Sequence, residues 1–347
     1  MGRPMKASSL NSSRMAQKKS LMKSSNYSVF IALLSIILAG CKQEIEIRES
    51  AFTAVNPLSY TDVIFKSERD TVLVATFSGR ITERIRGQQK EKLLINLQNE
   101  IYSLAYEPQN QLLYASTLQS GIVVIDATKN TVIDRLPVEG SWISNIYLSK
   151  NGEVLAGLTA HRQNYIRDLK KDQPIPVPEK ISNYRISGLD EQGAIILKGN
   201  GKFVFWDAQT DQFGKELTGS GKLTDVDGSG NMLFLNNKEF QFYNAKADSL
   251  SFVKHHPDWP YYYKEQDTLL RIPIQLALTD GKLTDRYIFT AGVDRSIRKW
   301  NKMDGQHLGD ITEHRATISA MDCSPDKSQL VSVDLKGGIL FSEIDQE

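Results

Sequence analysis

Two hydrophobic patterns divide this chain. Residues 29–40 form one apolar stretch, interrupted only by Ser35 and preceded by a segment with basic residues and no acidic ones. From about residue 57 onward, apolar residues come in short runs separated by polar turns. Segments such as Gly121-Ile122-Val123-Val124-Ile125 are rich in β-branched side chains, and no long stretch keeps the i, i+3, i+4 apolar spacing of a helix. A polar turn followed by an apolar strand recurs at 107–113, 149–155, 190–196, 227–233 and 324–330. Each copy places Asn, Asp, Gly or Pro where a hairpin reverses and Leu, Ile, Val or Met where a strand is buried.

The end of the next strand in each unit sets the period. Arg84-Ile85, Ile125-Asp126, Arg167-Asp168, Trp206-Asp207, Tyr243-Asn244, Trp300-Asn301 and Ser342-Glu343 follow one another at steps of 37 to 57 residues, averaging 43. Repeats of about 40–45 residues with four strands each make propeller blades. The pattern therefore predicts an all-β, seven-bladed β-propeller of four-stranded antiparallel blades over 57–347. The last blade lacks residues for an outer strand. The alternating segment Ile45-Glu46-Ile47-Arg48-Glu49-Ser50-Ala51-Phe52 is expected to supply it and close the ring.

Several residues carry a resemblance. Trp206-Asp207 is the dipeptide of WD40 repeats, and 294–301, with Asp294 at its tight turn and Trp300-Asn301 at its end, resembles their final-strand signature. Glu313-His314 ahead of 318–326 is similar to the glycine-histidine opening and first strand of the next repeat. Residues 125–132 resemble YVTN-type propeller repeats. The likeness covers most of residues 57–347 and implies a propeller without fixing a function. It also implies that His314 is a structural blade histidine, bonded within its own sheet.

The N-terminal pattern reads as export. Positive charge, then an apolar run, then small residues before a cysteine is the order of a secretory signal. Twelve helical residues rise about 18 Å, against a hydrocarbon core of roughly 30 Å, which is short for a membrane-spanning helix. Leu38-Ala39-Gly40-Cys41 resembles the bacterial lipobox. That resemblance implies cleavage before Cys41 and acylation of its thiol. The expected organisation is a signal at 1–40, translation starting at Met15 or Met22, and a lipidated tether with the closing strand at 41–56. A non-lipidated signal with an accidental cysteine is the competing reading. Lys42-Gln43-Glu44-Ile45-Glu46 departs from the aspartate that retains enterobacterial lipoproteins in the inner membrane. It is similar to the surface-export signals of Bacteroidota lipoproteins, or is simply a polar tether. Localisation is expected at the outer membrane, with the lipid as the membrane contact.

Charge changes after cleavage. Six of the 42 basic side chains and none of the 41 acidic ones precede Cys41, leaving 36 against 41, about −5. A nucleic-acid partner, which needs a basic face, is not expected. Once Cys41 carries lipid, Cys323 has no partner. Its place in an apolar strand points to a buried, inert thiol.

Chemical motifs are sparse. Residues 218–223 mimic a phosphate loop, but Glu216 stands where its first glycine belongs and Leu223 where its hydroxyl belongs. The calcium-loop-like start at 225–230 reaches Asn236 instead of a bidentate glutamate at its twelfth position. No nucleophile motif occurs, so catalytic residues, cofactors and metal ligands are not assigned and the chain is not read as an enzyme. The 57-residue step holds an insertion of about 15 residues. Its His255, His256, Trp259, Tyr261, Tyr262 and Tyr263 make a candidate partner-binding loop, because Trp and Tyr are enriched in binding hot spots. The alternative is a loop folded over the disc rim, burying its own aromatics. The expected function is a membrane-anchored, non-catalytic interaction scaffold in an envelope complex of the assembly or secretion type. A propeller enzyme, or a small-ligand or glycan binder with a site in the central channel, is the alternative.

Overall fold

The computed structural model describes residues 59–345, apart from Glu68, Ser141 and Glu191. These residues form seven antiparallel sheets in a ring, a seven-bladed β-propeller. The blades cover 60–96, 101–136, 143–174, 185–218, 222–255, 278–311 and 318–343. Among the described residues there is no α-helix, only two single helical turns at Glu179–Ile181 and Lys264–Gln266. Six blades have four strands and the seventh has three, ending at its third strand, Ile339–Glu343. The segment expected to complete it, 45–52, lies outside the described residues, as does Cys41. All seven strand-closing pairs from Arg84-Ile85 to Ser342-Glu343 end the third strand of a blade, so the repeat period matches the observed blades.

Side-chain alternation explains the ring. The second strand of blade 1, Thr71–Thr76, is buried along its whole length. Its Leu73 and Ala75 pack with Ile101, Leu104 and Leu113 of blade 2, whereas Val72 and Val74 pack with Ala320, Val331 and Val333 of blade 7. Successive side chains of a strand point to opposite faces, so one strand fills both neighbouring interfaces. A core cluster of this kind lies between each adjacent pair of blades, including blades 7 and 1. The ring is therefore held by side-chain packing at every junction, with no interface left over.

The inner strands carry a shared irregularity. In six blades the pairing of the first strand slips by one residue, at Thr61, Tyr102, Ser187, Thr224, Thr279 and Ser319. In blade 3 the slip falls at Ser144 and Asn145. Each bulge twists the innermost strand and re-aims its side chains. A hydroxyl-bearing residue sits there in every blade.

Candidate functional site

The expected signature residues form buried polar networks. In blade 6, His256 Nδ1 lies 3.0 Å from Asp294 Oδ2, and His256 Nε2 lies 2.8 Å from Thr290 Oγ1. Trp300 Nε1–H donates to the same Thr290 oxygen at 2.8 Å. The directions are fixed by what each atom can do. Indole N–H donates to threonine, the threonine O–H donates to His256 Nε2, and His256 Nδ1–H donates to the aspartate. Arg298 Nη2 adds a second donor to Asp294 Oδ2 at 2.8 Å. Burial alone raises Asp294, but His256 and Arg298 outweigh it and hold the carboxyl below its usual range. In blade 7, His314 Nδ1 lies 3.0 Å from Asp334 Oδ2 and His314 Nε2 lies 2.7 Å from Ser332 Oγ. Trp206 is buried and donates its indole N–H to Asp211 at 2.9 Å, and Asp207 accepts from the Gln209 and Thr210 amides in the adjoining turn. All these residues act within their sheets.

Two expectations about the insertion are corrected. His256 is only 1 % exposed and belongs to the blade 6 network, so it is no contact residue for a partner. The segment is not a loop: Trp259–Tyr263 pairs antiparallel with Thr268–Ile272 in a separate two-stranded hairpin. Aromatic residues favour a pleated strand, which accounts for the difference. Asp267, in the left-handed region at φ 47°, helps turn the chain at the tip. His255 is exposed, with Nδ1 3.1 Å from the His256 carbonyl and 3.2 Å from Gln275 Nε2 at the hairpin base. Leu270 and Ile274 are exposed on or beside the returning strand.

The central channel is a cavity of about 280 Å³ lined by the inner strands of all seven blades. Lys282 sits there with Asp62, Asp225, Asp280 and Asp322, and its Nζ is 3.9 Å from Asp322 Oδ1. Burial lowers the Lys282 ammonium, but the Asp280, Asp322 and Asp225 carboxylates outweigh it and keep it charged. Burial pushes Asp62 up to about 7, against the pull of the Leu104 and Val63 amides. Asp225 is also raised by burial. Each carboxylate accepts a backbone N–H from the next blade. The bonds are Leu104 N to Asp62 at 2.7 Å, Leu283 N to Asp225 at 2.6 Å, Met321 N to Asp280 at 2.8 Å and Phe65 N to Asp322 at 2.8 Å. The channel acids are thus staples between blades. Cys323 is buried nearby, and burial pushes its thiol up to about 12. Among the described residues no group of three or more His, Cys, Asp or Glu is placed to hold a metal ion.

One face of the disc differs from the rest. It carries the turns between second and third strands, the connections into the inner strands, and the inserted hairpin. The residues opening these turns are Phe77, Leu118, Ala160, Val293 and Leu335 in blades 1, 2, 3, 6 and 7. Their equivalence is shown by one shared bond. Each donates its backbone N–H to the residue just before an inner strand (Ser59, Glu100, Trp142, Ala277 and Thr317) at 2.8–3.1 Å. Phe77, Val293 and Leu335 are large apolar residues left 39–44 % exposed. Phe77 meets Tyr102 edge-on at 6.5 Å, and Tyr102 stacks on Trp142 at 4.1 Å, so the strip runs on through blades 1 to 3. Blades 4 and 5 break it with tight turns at Asn200-Gly201 and Asn237-Lys238. Nothing in the short motifs pointed to these positions, because the turn-opening residues are single residues 41 to 133 positions apart. Their common position after the second strand was the only signal.

Compared with known proteins, the chain matches no family model and no curated protein.

Proposed function

We propose that this chain is a lipid-anchored propeller of the bacterial envelope, tethered at Cys41, and that it holds a protein partner on the face bearing the second-to-third-strand turns. The observation that carries the reading is the exposure of Phe77, Val293 and Leu335 in equivalent turns of one face, with Phe77 against Tyr102 and Tyr102 stacked on Trp142, on the face that also carries the hairpin. Large apolar side chains left exposed on one face favour an interaction surface, and aromatic anchors concentrate binding energy. The channel supports this reading less directly: its carboxylates each accept a backbone amide from the next blade, which leaves few groups for chemistry.

The test is purification of the tagged full chain from membranes in mild detergent. Wild type is compared with Phe77→Asp/Leu335→Asp, with a variant lacking 258–273, and with Cys41→Ser. A deletion must spare His256, since removing it would take away a buried partner of Asp294 and Thr290 and destabilise blade 6. A stoichiometric partner is expected with wild type and lost with the double variant, while Cys41→Ser leaves the membrane fraction. Recovery of wild-type propeller alone would overturn the scaffold reading, and membrane retention of Cys41→Ser would overturn the anchor.

A further inference from the structure

Where the apolar strip stops, the same face opens into a cleft of about 600 Å³ over blades 3, 4 and 5. Four cations line it: Arg162 from the blade 3 turn, Arg185 and Lys198 from blade 4, and Lys222 at the start of blade 5. Asn145, Asn183, Asn200 and Ser187 add neutral polar groups. No carboxylate lines the cleft, and none of the four cations is paired with an acid among the described residues. Arg185 and Lys198 are half-buried, a setting in which most other cations of residues 57–347 have an acidic partner, as Lys66 has Glu83 and Lys302 has Asp227.

Two of the cations are also held in place. Arg185 Nη1 donates to the carbonyls of Ser182 at 2.8 Å and Tyr184 at 2.9 Å, which fixes the guanidinium plane while its other edge keeps further donors. Lys198 Nζ donates to the carbonyl of Gly221 and retains two protons. Gly221 stands in the left-handed region at φ 94°, and an added Cβ would come within 2.5 Å of the Leu235 carbonyl oxygen, so the cleft wall there requires glycine. Burial, and then the charge of Arg162, lower the Lys198 ammonium. Positive charge is therefore gathered at a cost that a bound anion would relieve.

We propose that this cleft binds a compact phosphate ester, its phosphate held by Arg162, Arg185, Lys198 and Lys222 and its polar body by the asparagines. Two guanidinium forks with two ammonium groups suit a multiply charged oxyanion better than a single carboxylate. The volume exceeds that of a bare ion and lies in the range of small-molecule sites. The phosphate can belong to a soluble ester or to a lipid headgroup. The site is independent of the apolar strip and of any protein partner.

The experiment is calorimetric titration of the purified full chain with inorganic pyrophosphate, alongside sedimentation with phosphatidylcholine vesicles with and without phosphatidic acid. Saturable pyrophosphate binding that weakens with salt is expected. Lys198→Gln/Arg185→Gln should weaken it at least about tenfold, which is about 1.4 kcal/mol. Arg162→Gly guards against misfolding, because Arg162 is exposed in a left-handed turn at φ 61° that glycine adopts freely. It should weaken binding several-fold with an unchanged melting curve. Lys238→Gln/Lys246→Gln, outside the cleft, should match wild type. Vesicle binding that needs phosphatidic acid and the cleft cations would identify the source as a headgroup; binding of pyrophosphate alone would identify a soluble ester. Absence of saturable pyrophosphate binding, or equal weakening in the control variant, would overturn the site.

Discussion

Thr290 shows how one small side chain can hold a blade together. Its hydroxyl receives the Trp300 indole N–H and faces His256 Nε2, both at 2.8 Å, and all three residues are buried. Thr290→Val keeps the shape and removes the hydroxyl, leaving an indole donor and an imidazole acceptor unpaired. Each stranded group costs about 1–3 kcal/mol, so a loss of about 2–6 kcal/mol is expected in urea unfolding. Ser332→Ala in blade 7 strands only His314 Nε2 and should cost about half as much. Equal losses, or none for Thr290→Val, would refute the shared-hydroxyl account. The two histidines also show what a sequence reveals. His314 stands four residues before its inner strand, Ile318–Cys323, so the pattern is local and readable. His256 stands 22 residues before Leu278–Leu283, because the hairpin is inserted between the histidine and the strand it serves. Stripped of its neighbouring strand, His256 reads as part of an aromatic loop.

At the scale of elements, alternation and turn chemistry made the blades legible. The third-strand ends matched in all seven cases because Trp, Tyr or Ile there is followed by a turn-forming polar residue in most blades. The insertion was visible only as extra length. Its folding back as Trp259–Tyr263 on Thr268–Ile272 depends on pairing between residues that share no motif. The cationic cleft was illegible for a related reason: Arg162, Arg185, Lys198 and Lys222 come from four separate segments. The open edge of Ile339–Glu343 makes its own prediction. Among the described residues it pairs only with Gln329–Asp334, and an unpaired edge is a liability in a soluble sheet. If 45–52 supplies the missing strand, an internal deletion of that segment should lower the melting temperature. It should also speed hydrogen exchange at the amides of Ile339–Glu343. Unchanged exchange at those amides would show that the edge is covered by something else.

At the scale of the whole molecule, seven blades wall in charges that no single blade would bury. Asp62 stands in the channel wall, joined to blade 2 through the Leu104 amide, with Lys282 and Asp280 acting on it across the cavity. Its carboxyl is raised from 3.8 to about 7, chiefly by burial. The folded state therefore binds more protons than the unfolded chain between those values. This contribution is present at low pH and is lost as pH rises towards about 7, with a limiting slope of about 1.4 kcal/mol per pH unit. His256 works the opposite way. Burial lowers it from 6.5, so the unfolded chain binds more protons and stability is lost as pH falls below 6.5. The two slopes oppose each other where both groups titrate, just below pH 6.5. Asp62→Asn removes only the first. The variant should lose stability on acidification more steeply than wild type, and the difference in unfolding free energy should shift in favour of wild type as pH falls from about 8 to about 5. Urea unfolding at each pH measures this directly. A difference that stays constant across the window would mean that Asp62 ionises like an exposed carboxylate and that the assembled ring does not bury it.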